Sequence, residues 1–257
     1  MTDAQPPVLC DIDGSVATVT LNRPERRNAM DVQMVLQTHE ILSGLAARHD
    51  VRIVVFTGVG DDFFCPGADL GAPSSPDGVE MYHYQISVIL HDMHQVTIGA
   101  INGACAGAGL GWALGCDLRV ASDSARFNTA FLDVGVAGDM GVPWTLNRMV
   151  GAARTRELMF LRGKFSAEEA LKLGLVSDVF PRATFRSEVD KIVARLRGAS
   201  PTAPRYMKQN ILAAERMEYN DYVYLESERH AHIVVGADFA EGAAAFVERR
   251  PPRFSGR

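Results

Sequence analysis

Residues 101–117 read INGACAGAGLGWALGCD, and residues 64–70 read FCPGADL. Both runs are dense in Gly and Ala and carry few side chains able to do chemistry. Such segments present bare backbone N–H groups and let one main chain press against another or against a ligand. Two of them in one chain read as the two halves of an oxyanion hole, a pair of fixed donors aimed at one developing negative charge.

Outward from the glycine run the pattern is that of an α/β core. Val96–Ile101 immediately before it reads as a strand, and the run itself leads into a short helix. Further upstream, Arg52–Thr57 is a β-branched run of the length of a buried strand. At the start of the chain, Val8–Ile12 and Val16–Leu21 flank Asp13-Gly14, which predicts a β-hairpin because both turn residues tolerate positive φ. Asp31 is placed to cap a helix whose apolar residues Met34, Ile41, Leu42 and Leu45 recur at helical spacing. A Pro/Gly/Ser-rich loop at Gly71–Gly78 precedes a second helix expected over about Val79–Gln95. The strand-and-helix succession predicts a mostly parallel α/β core over residues 1–199. From Ser200 the pattern is helical only, with Met207, Ile211, Leu212, Tyr222, Leu225, Phe239, Ala243 and Phe246. That predicts a helical region over residues 200–257 whose apolar faces must pack on the core or on another subunit.

Composition narrows the function. The chain has 257 residues, 47% of them hydrophobic, and a formal net charge of −5, which argues against nucleic acid as a partner. No segment approaches the roughly 18 consecutive apolar residues of a membrane span, and the opening MTDAQPP lacks a basic, then apolar, leader. A soluble, cytoplasmic protein is expected. Cys10, Cys65, Cys105 and Cys116 have no metal-ligand spacing and read as reduced, mostly buried thiols. His83, His91 and His94 fall on one expected helix, but no carboxylate or cysteine completes a set, so no metal is expected. The GxSxG elbow of serve-and-attack serine hydrolases does not occur.

The blocks LNRPERRNAMD (21–31), FCPGADL (64–70), INGACAGAGLGWALGCD (101–117), FSAEEALKLGLV (165–176) and AFVERRPPRF (245–254) occur in order. Through them the sequence resembles the crotonase superfamily, the enoyl-CoA hydratase/isomerase family, from about Val8 to Arg253. The resemblance implies an α/β spiral of ββα turns with a C-terminal helical oligomerisation region, assembled as a homotrimer or a dimer of trimers. It also implies an acyl-CoA thioester whose carbonyl lies between the N–H groups of Ala68 and Ala108; coenzyme A is then part of the substrate, with no separate cofactor. Arg23, Arg26 and Arg27 fall where the family holds the nucleotide end, the Pro66 carbonyl beside the adenine, and Arg249 where a neighbouring subunit contacts CoA. Gly67, Asp69, Gly107, Gly111, Phe131, Trp144 and Phe246 complete the expected substrate contacts.

Departures from the family decide the reaction class. Hydratases of the family use two glutamates to split water, and here those positions hold Gly111 and Phe131, neither of which moves a proton. In AFLDVGVAGDMGVPW (130–144), Asp139 instead resembles the single aspartate of superfamily isomerases, of the phenylacetyl-CoA epoxide and dienoyl-CoA types. One carboxylate suffices to take a proton from one carbon and return it to another. Phe131 and Trp144 are expected to make its pocket apolar and so raise its pKa. Asp133 reads as a solvated or capping carboxylate. Asp139 also has a second reading, as N-cap of the helix containing Trp144–Met149. Three functions follow: a double-bond isomerase working through an enolate, an Asp-nucleophile dehalogenase or hydrolase with a base among His83, His91 and His94, and an acyl-CoA binder with lost or weak hydratase activity.

Overall fold

The computed structural model describes residues 5–72, 80–161 and 163–256. The chain opens with the expected hairpin: strand β1 (Val8–Asp13) pairs antiparallel with β2 (Val16–Leu21) around Gly14, which takes φ +57°. Helix α1 (Val32–Ala46) starts where its cap predicts, with the Asp31 carboxylate accepting the Met34 N–H at 2.9 Å. Its buried stripe is Met34, Val35, Thr38, Leu42 and Leu45.

The chain then spirals. Strands β3 (Ile53–Gly58) and β4 (Phe63–Cys65), β5 (Val96–Ile101) and β6 (Ala104–Ala106), and β7 (Leu118–Ser122) and β8 (Arg126–Asn128) come in successive pairs. The first member of each pair joins a large sheet and the second a small one. With β9 (Phe165–Ser166) and β10 (Asp178–Phe180), the orders are β1-β2-β3-β5-β7-β10 and β4-β6-β8-β9. Apart from the opening hairpin the large sheet is parallel, so its strands are buried on both faces and read as nearly unbroken apolar runs. This is the expected spiral of ββα turns.

Between the sheets and around them lie the helices α2 (Ile86–Asp92), α3 (Gly107–Leu114), α4 (Val142–Phe160), α5 (Ala167–Lys172) and α6 (Phe185–Arg197). Phe185 and Val189 of α6 cover Val16, Ile53, Val55 and Ile98 on the outer face of the large sheet. The helix expected over Val79–Gln95 is shorter than its periodicity suggests. Val79 and most of the Gly71–Gly78 loop lie outside the described residues; Met81–Gln85 forms a 3-10 turn, and only Ile86–Asp92 is α-helical. Two local bonds account for this. The Glu80 N–H donates to His83 Nδ1, which tightens the first turn, and the Leu90 carbonyl is taken by Thr97 Oγ1 rather than by a further helical N–H.

From Ser200 the chain is helical as expected: α7 (Ala203–Ala214), α8 (Tyr219–Ile233) and α9 (Ala237–Glu248). The first of these packs on the core through a buried ammonium. Lys208 is 4% exposed, and its Nζ donates to the carbonyls of Leu90 and Gln95 and to the Asp117 carboxylate at 3.2, 2.9 and 2.8 Å. Asp117 Oδ2 also accepts the Thr97 N–H and hydroxyl. Large apolar side chains farther along the tail, including Met207, Ile211, Tyr219 and Phe246, stay exposed. No helix among the described residues is long and apolar enough to cross a membrane.

The Lys208 node should be measurable as stability. Lys208→Met keeps the length of the side chain but strips its cation from two carbonyls and a carboxylate, so urea unfolding should show a loss of about 3–5 kcal/mol. A loss below about 1 kcal/mol would mean that the ammonium does not anchor the tail.

Candidate active site

The site starts from a missing side chain. Every residue of α3 is buried, and a Cβ placed on Gly109 would lie 2.3 Å from the Cys65 carbonyl oxygen. The helix therefore rests directly on the main chain at the end of β4. Beyond β4, Ala68 forms a parallel bridge with Met30: the Met30 N–H donates to Gly67 O at 2.9 Å and the Asp69 N–H donates to Met30 O at 2.8 Å. In that pattern the N–H and C=O of Ala68 itself point away from Met30. Ala108 is the second residue of α3, so its N–H has no acceptor within the helix, and Ala106 at the cap supplies no side-chain bond. Gly67, at φ +105°, brings the two segments together, because a Cβ there would stand 3.8 Å from the Ala108 nitrogen. The two expected donors thus sit on backbone segments in van der Waals contact, Ala68 exposed and Ala108 7% exposed.

The loop carrying Ala68 is held from behind. The Arg23 guanidinium donates to the Ala29 carbonyl and pairs with Asp31 at 3.1 Å and Asp69 at 3.3 Å. Arg23 and Asp69, both expected as substrate contacts, are thus paired with each other and position the Gly67–Asp69 loop. Asn28 and Asn102 do related work. Asn28 Nδ2 donates to the carbonyls of Val59 and Phe63, and Asn102 Nδ2 to those of Gly58, Gly60 and Phe63, which fixes the crossing from β3 to β4. Arg26 and Arg27 are exposed, with the Arg27 guanidinium 5.7 Å from the Phe63 ring centre, and Pro66 is half-buried beside the loop.

On the other side of the hole, Phe131 is 4% exposed, and its ring edge lies 4.0 Å from where a Gly107 Cβ would be. Gly107 itself takes φ +53°, as the tight entry into α3 requires. Gly111, one turn along the same helix face from Ala108, does not border open space: a Cβ there would fall 2.4 Å from Met140 Cβ. Met140 therefore fills the place of the family's first glutamate, and the expectation of Gly111 as a substrate contact gives way to Gly111 as the seat of Met140. This residue was not singled out in the sequence; its signal was the Gly-Asp-Met-Gly turn, where Gly138 and Gly141 take φ +125° and +76° and Met140 itself +48°. A non-glycine residue in that region is uncommon and costs energy the surrounding structure must supply.

Asp139 precedes Met140 in that turn. Its side chain is partly buried and accepts one hydrogen bond, from the Met140 N–H at 2.7 Å. Burial pushes its carboxyl above the ordinary carboxylate range, and the Met140 bond offsets this only in part. It is not the N-cap of α4. That position belongs to Gly141, which makes no side-chain cap bond, so the capping role is not the one observed. Trp144, expected beside this carboxylate, is 45% exposed; its ring meets His91 edge-on and lies 3.5 Å under the Arg148 guanidinium, on the groove between α2, α4 and α7.

The remaining expected residues are spread out. Asp133 is exposed in a 3-10 turn. His91 pairs with Asp92 and with Glu215 at the end of α7, and His83 caps its own turn by accepting the Glu80 N–H. Phe246 is 86% exposed on α9, and Arg249 is exposed at its C-terminus. The contacts that hold α9 run to Ser200 and to Ser255 and Gly256. Of the thiols, Cys65, Cys105 and Cys116 are buried and Cys10 is exposed.

Comparison with known proteins agrees with this geometry. The chain matches the enoyl-CoA hydratase/isomerase family over residues 11–257. A probable enoyl-CoA hydratase of Rhodobacter capsulatus is 34% identical over 254 residues, spanning 96% of this chain and 97% of the relative. The 1,2-epoxyphenylacetyl-CoA isomerase of Escherichia coli is 32% identical over 259 residues, spanning 97% and 98%. Among solved structures, an enoyl-CoA hydratase from Bacillus anthracis superposes with a TM-score of 0.90 at 27% identity, covering 98% of this chain and all of that one. With a match over residues 11–257 and relatives 34% and 32% identical over nearly its whole length, this chain belongs to the enoyl-CoA hydratase/isomerase family.

Proposed function

We propose that the protein is an acyl-CoA double-bond isomerase in which Asp139 moves the proton and the N–H groups of Ala68 and Ala108 hold the enolate. Relatives named for hydration and for isomerisation are about equally similar, so the reading rests on the residues of the site. The observation that carries it is Asp139: a partly buried carboxylate, free of any helix-capping duty, in a strained turn packed on the helix that carries Ala108.

The steps need no water. The Asp139 carboxylate takes a proton from the γ-carbon of an enoyl thioester, and the C–H electron pair moves through the double bond onto the carbonyl oxygen. The two N–H groups bind that oxyanion more strongly than the neutral carbonyl, which is the differential that lowers the barrier. The neutral Asp139 carboxyl then returns the proton to the α-carbon, and the electron pair re-forms the thioester carbonyl. A base whose pKa is raised by burial suits this double duty, because it gives the proton back readily. Arg26 and Arg27 supply exposed guanidinium groups for the nucleotide end of the substrate. The C-terminal region is assigned to assembly as a trimer or a dimer of trimers, bringing Phe246 and Arg249 to a neighbouring subunit's substrate. Light scattering at micromolar concentration should give a trimeric or hexameric mass, and a monodisperse monomer would remove that assignment.

Exchange of α or γ protons of an enoyl-CoA with solvent deuterium tests the base without the true substrate. Asp139→Asn should lower exchange by about 10²–10⁴-fold while leaving CoA-ester affinity nearly unchanged. In the wild type, exchange should fall as pH drops through the raised Asp139 pKa, since only the carboxylate accepts a proton. Stability runs the opposite way. A carboxyl whose folded pKa is raised destabilises the fold once it ionises, so this contribution improves as pH falls, and Asp139→Asn should be neutral or stabilising near pH 7. Exchange that survives the substitution would refute Asp139 as the base.

Hydration gives the complementary test. Wild-type protein should hydrate crotonyl-CoA very weakly, and Gly111→Glu should not rescue it, because the new Cβ meets Met140 and the second position is still Phe131. A wild-type hydratase kcat in the ordinary range of about 1–1000 s⁻¹ would overturn the isomerase reading.

A further inference from the structure

A cavity of about 200 Å³ lies away from the oxyanion hole, between the turn that follows α1, the start of β5 and the first turn of α7. His49, His94, Arg52 and Arg205 line it together with Thr202, and among the described residues no carboxylate lines it. Such a balance favours an anion, because two guanidinium groups at a partly enclosed space repel one another unless an anion joins them.

None of the four has a carboxylate partner within the described residues. Arg52 donates to the hydroxyl of Ser15 and to the carbonyls of Arg197 and Ala199, which orient its charge without cancelling it. Arg205 is exposed on the first turn of α7, and that turn carries no side-chain cap at Thr202. The rings of His49 and His94 lie 5.2 Å apart. His94 engages the Arg48 backbone, while its Nε2 is buried without a hydrogen-bond partner. Asp238, a carboxylate tied to this end of α7, is occupied by the Ser200 hydroxyl and the N–H groups of Ser255 and Gly256.

We propose that this cavity is a binding site for a small oxyanion of the phosphate class, held by Arg205, Arg52 and the two imidazoles at the start of α7. Its volume fits one such group and falls well below the roughly 300–1,000 Å³ of sites that enclose a whole organic ligand. The site's present electrostatics agree: burial, then the positive charges of Arg205, His49 and Lys208, hold the His94 pKa below its usual value. An anion in the cavity reverses the charge contribution at His94. It also ties the tail's first helix to the turn before β3. The site is independent of the isomerase reading, since none of these residues belongs to the hole or to Asp139.

The test titrates the full chain with inorganic phosphate against chloride at constant ionic strength. It follows Tm and the His94 imidazole resonance, assigned by its loss in His94→Gln. Phosphate should raise Tm saturably where chloride does not, and should move the His94 signal and raise its pKa. Arg205→Gln, an exposed change that leaves the fold intact, should weaken the phosphate effect by about 10-fold or more. A parallel titration with glycerol phosphate separates the sources: equal binding assigns the site to a phosphate carried on a larger molecule, and binding of inorganic phosphate alone assigns it to the free ion. A Tm response no greater than that to chloride, or one identical in wild type and Arg205→Gln, would overturn the proposal.

Discussion

The catalytic half of this molecule depends on main chain touching main chain. Where α3 crosses the end of β4 there is no space for even a methyl group at Gly109. That contact sets the height of the helix over the strand, and through it the separation of Ala68 and Ala108. Catalytic side chains can adjust by changing rotamer, but peptide N–H groups have no such freedom, so their placement is only as accurate as the packing beneath them. Arg23, Asn28 and Asn102 serve the same end, since each converts a loop's loose carbonyls or carboxylates into fixed distances. A polar strut here is worth more for geometry than for stability.

The fold was legible because its signals are local. The Asp13-Gly14 turn, the Asp31 cap and the apolar runs at β3 and β5 each act within a few residues, and the structure forms them where the sequence places them. The glycine run was legible for the same reason, since glycine density reports on backbone proximity without naming the partner. What the sequence did not disclose were pairings across distance. Arg23 looked like one of three equivalent phosphate ligands until Asp69, 46 residues on, was seen to hold it. Trp144 was placed beside the carboxylate by the resemblance of its segment, and its contacts with His91 and Arg148 came into view only in the structure. Met140 was overlooked because a methionine carries no chemical signature; only the space above Gly111 reveals its part.

That space bears on how one scaffold hosts different reactions. In this chain the pair Gly111 and Met140 replaces a charged group by a sulfur-bearing apolar one, at a position where a carboxylate would hold water. Losing the glutamate alone would leave a hole that solvent could enter. Met140, 5% exposed, takes up that space instead. The carboxylate proposed to move the proton lies in the same turn, so it and the residue packed on Gly111 are neighbours in sequence, held by one strained loop.

The buried ammonium of Lys208 has a consequence for the order in which the molecule is made. Its acceptors, the carbonyls of Leu90 and Gln95 and the carboxylate of Asp117, all belong to the first half of the chain. During synthesis those three oxygens exist for a long interval with no cation to face, while some ninety residues are still to be added after Asp117. Strand β5 has both its sheet neighbours, β3 and β7, before α7 is made, so what arrives last is the cation that closes the turn between α2 and β5. A shortened chain ending before residue 208 would keep every atom of the oxyanion hole and still lack the piece that closes the core behind it.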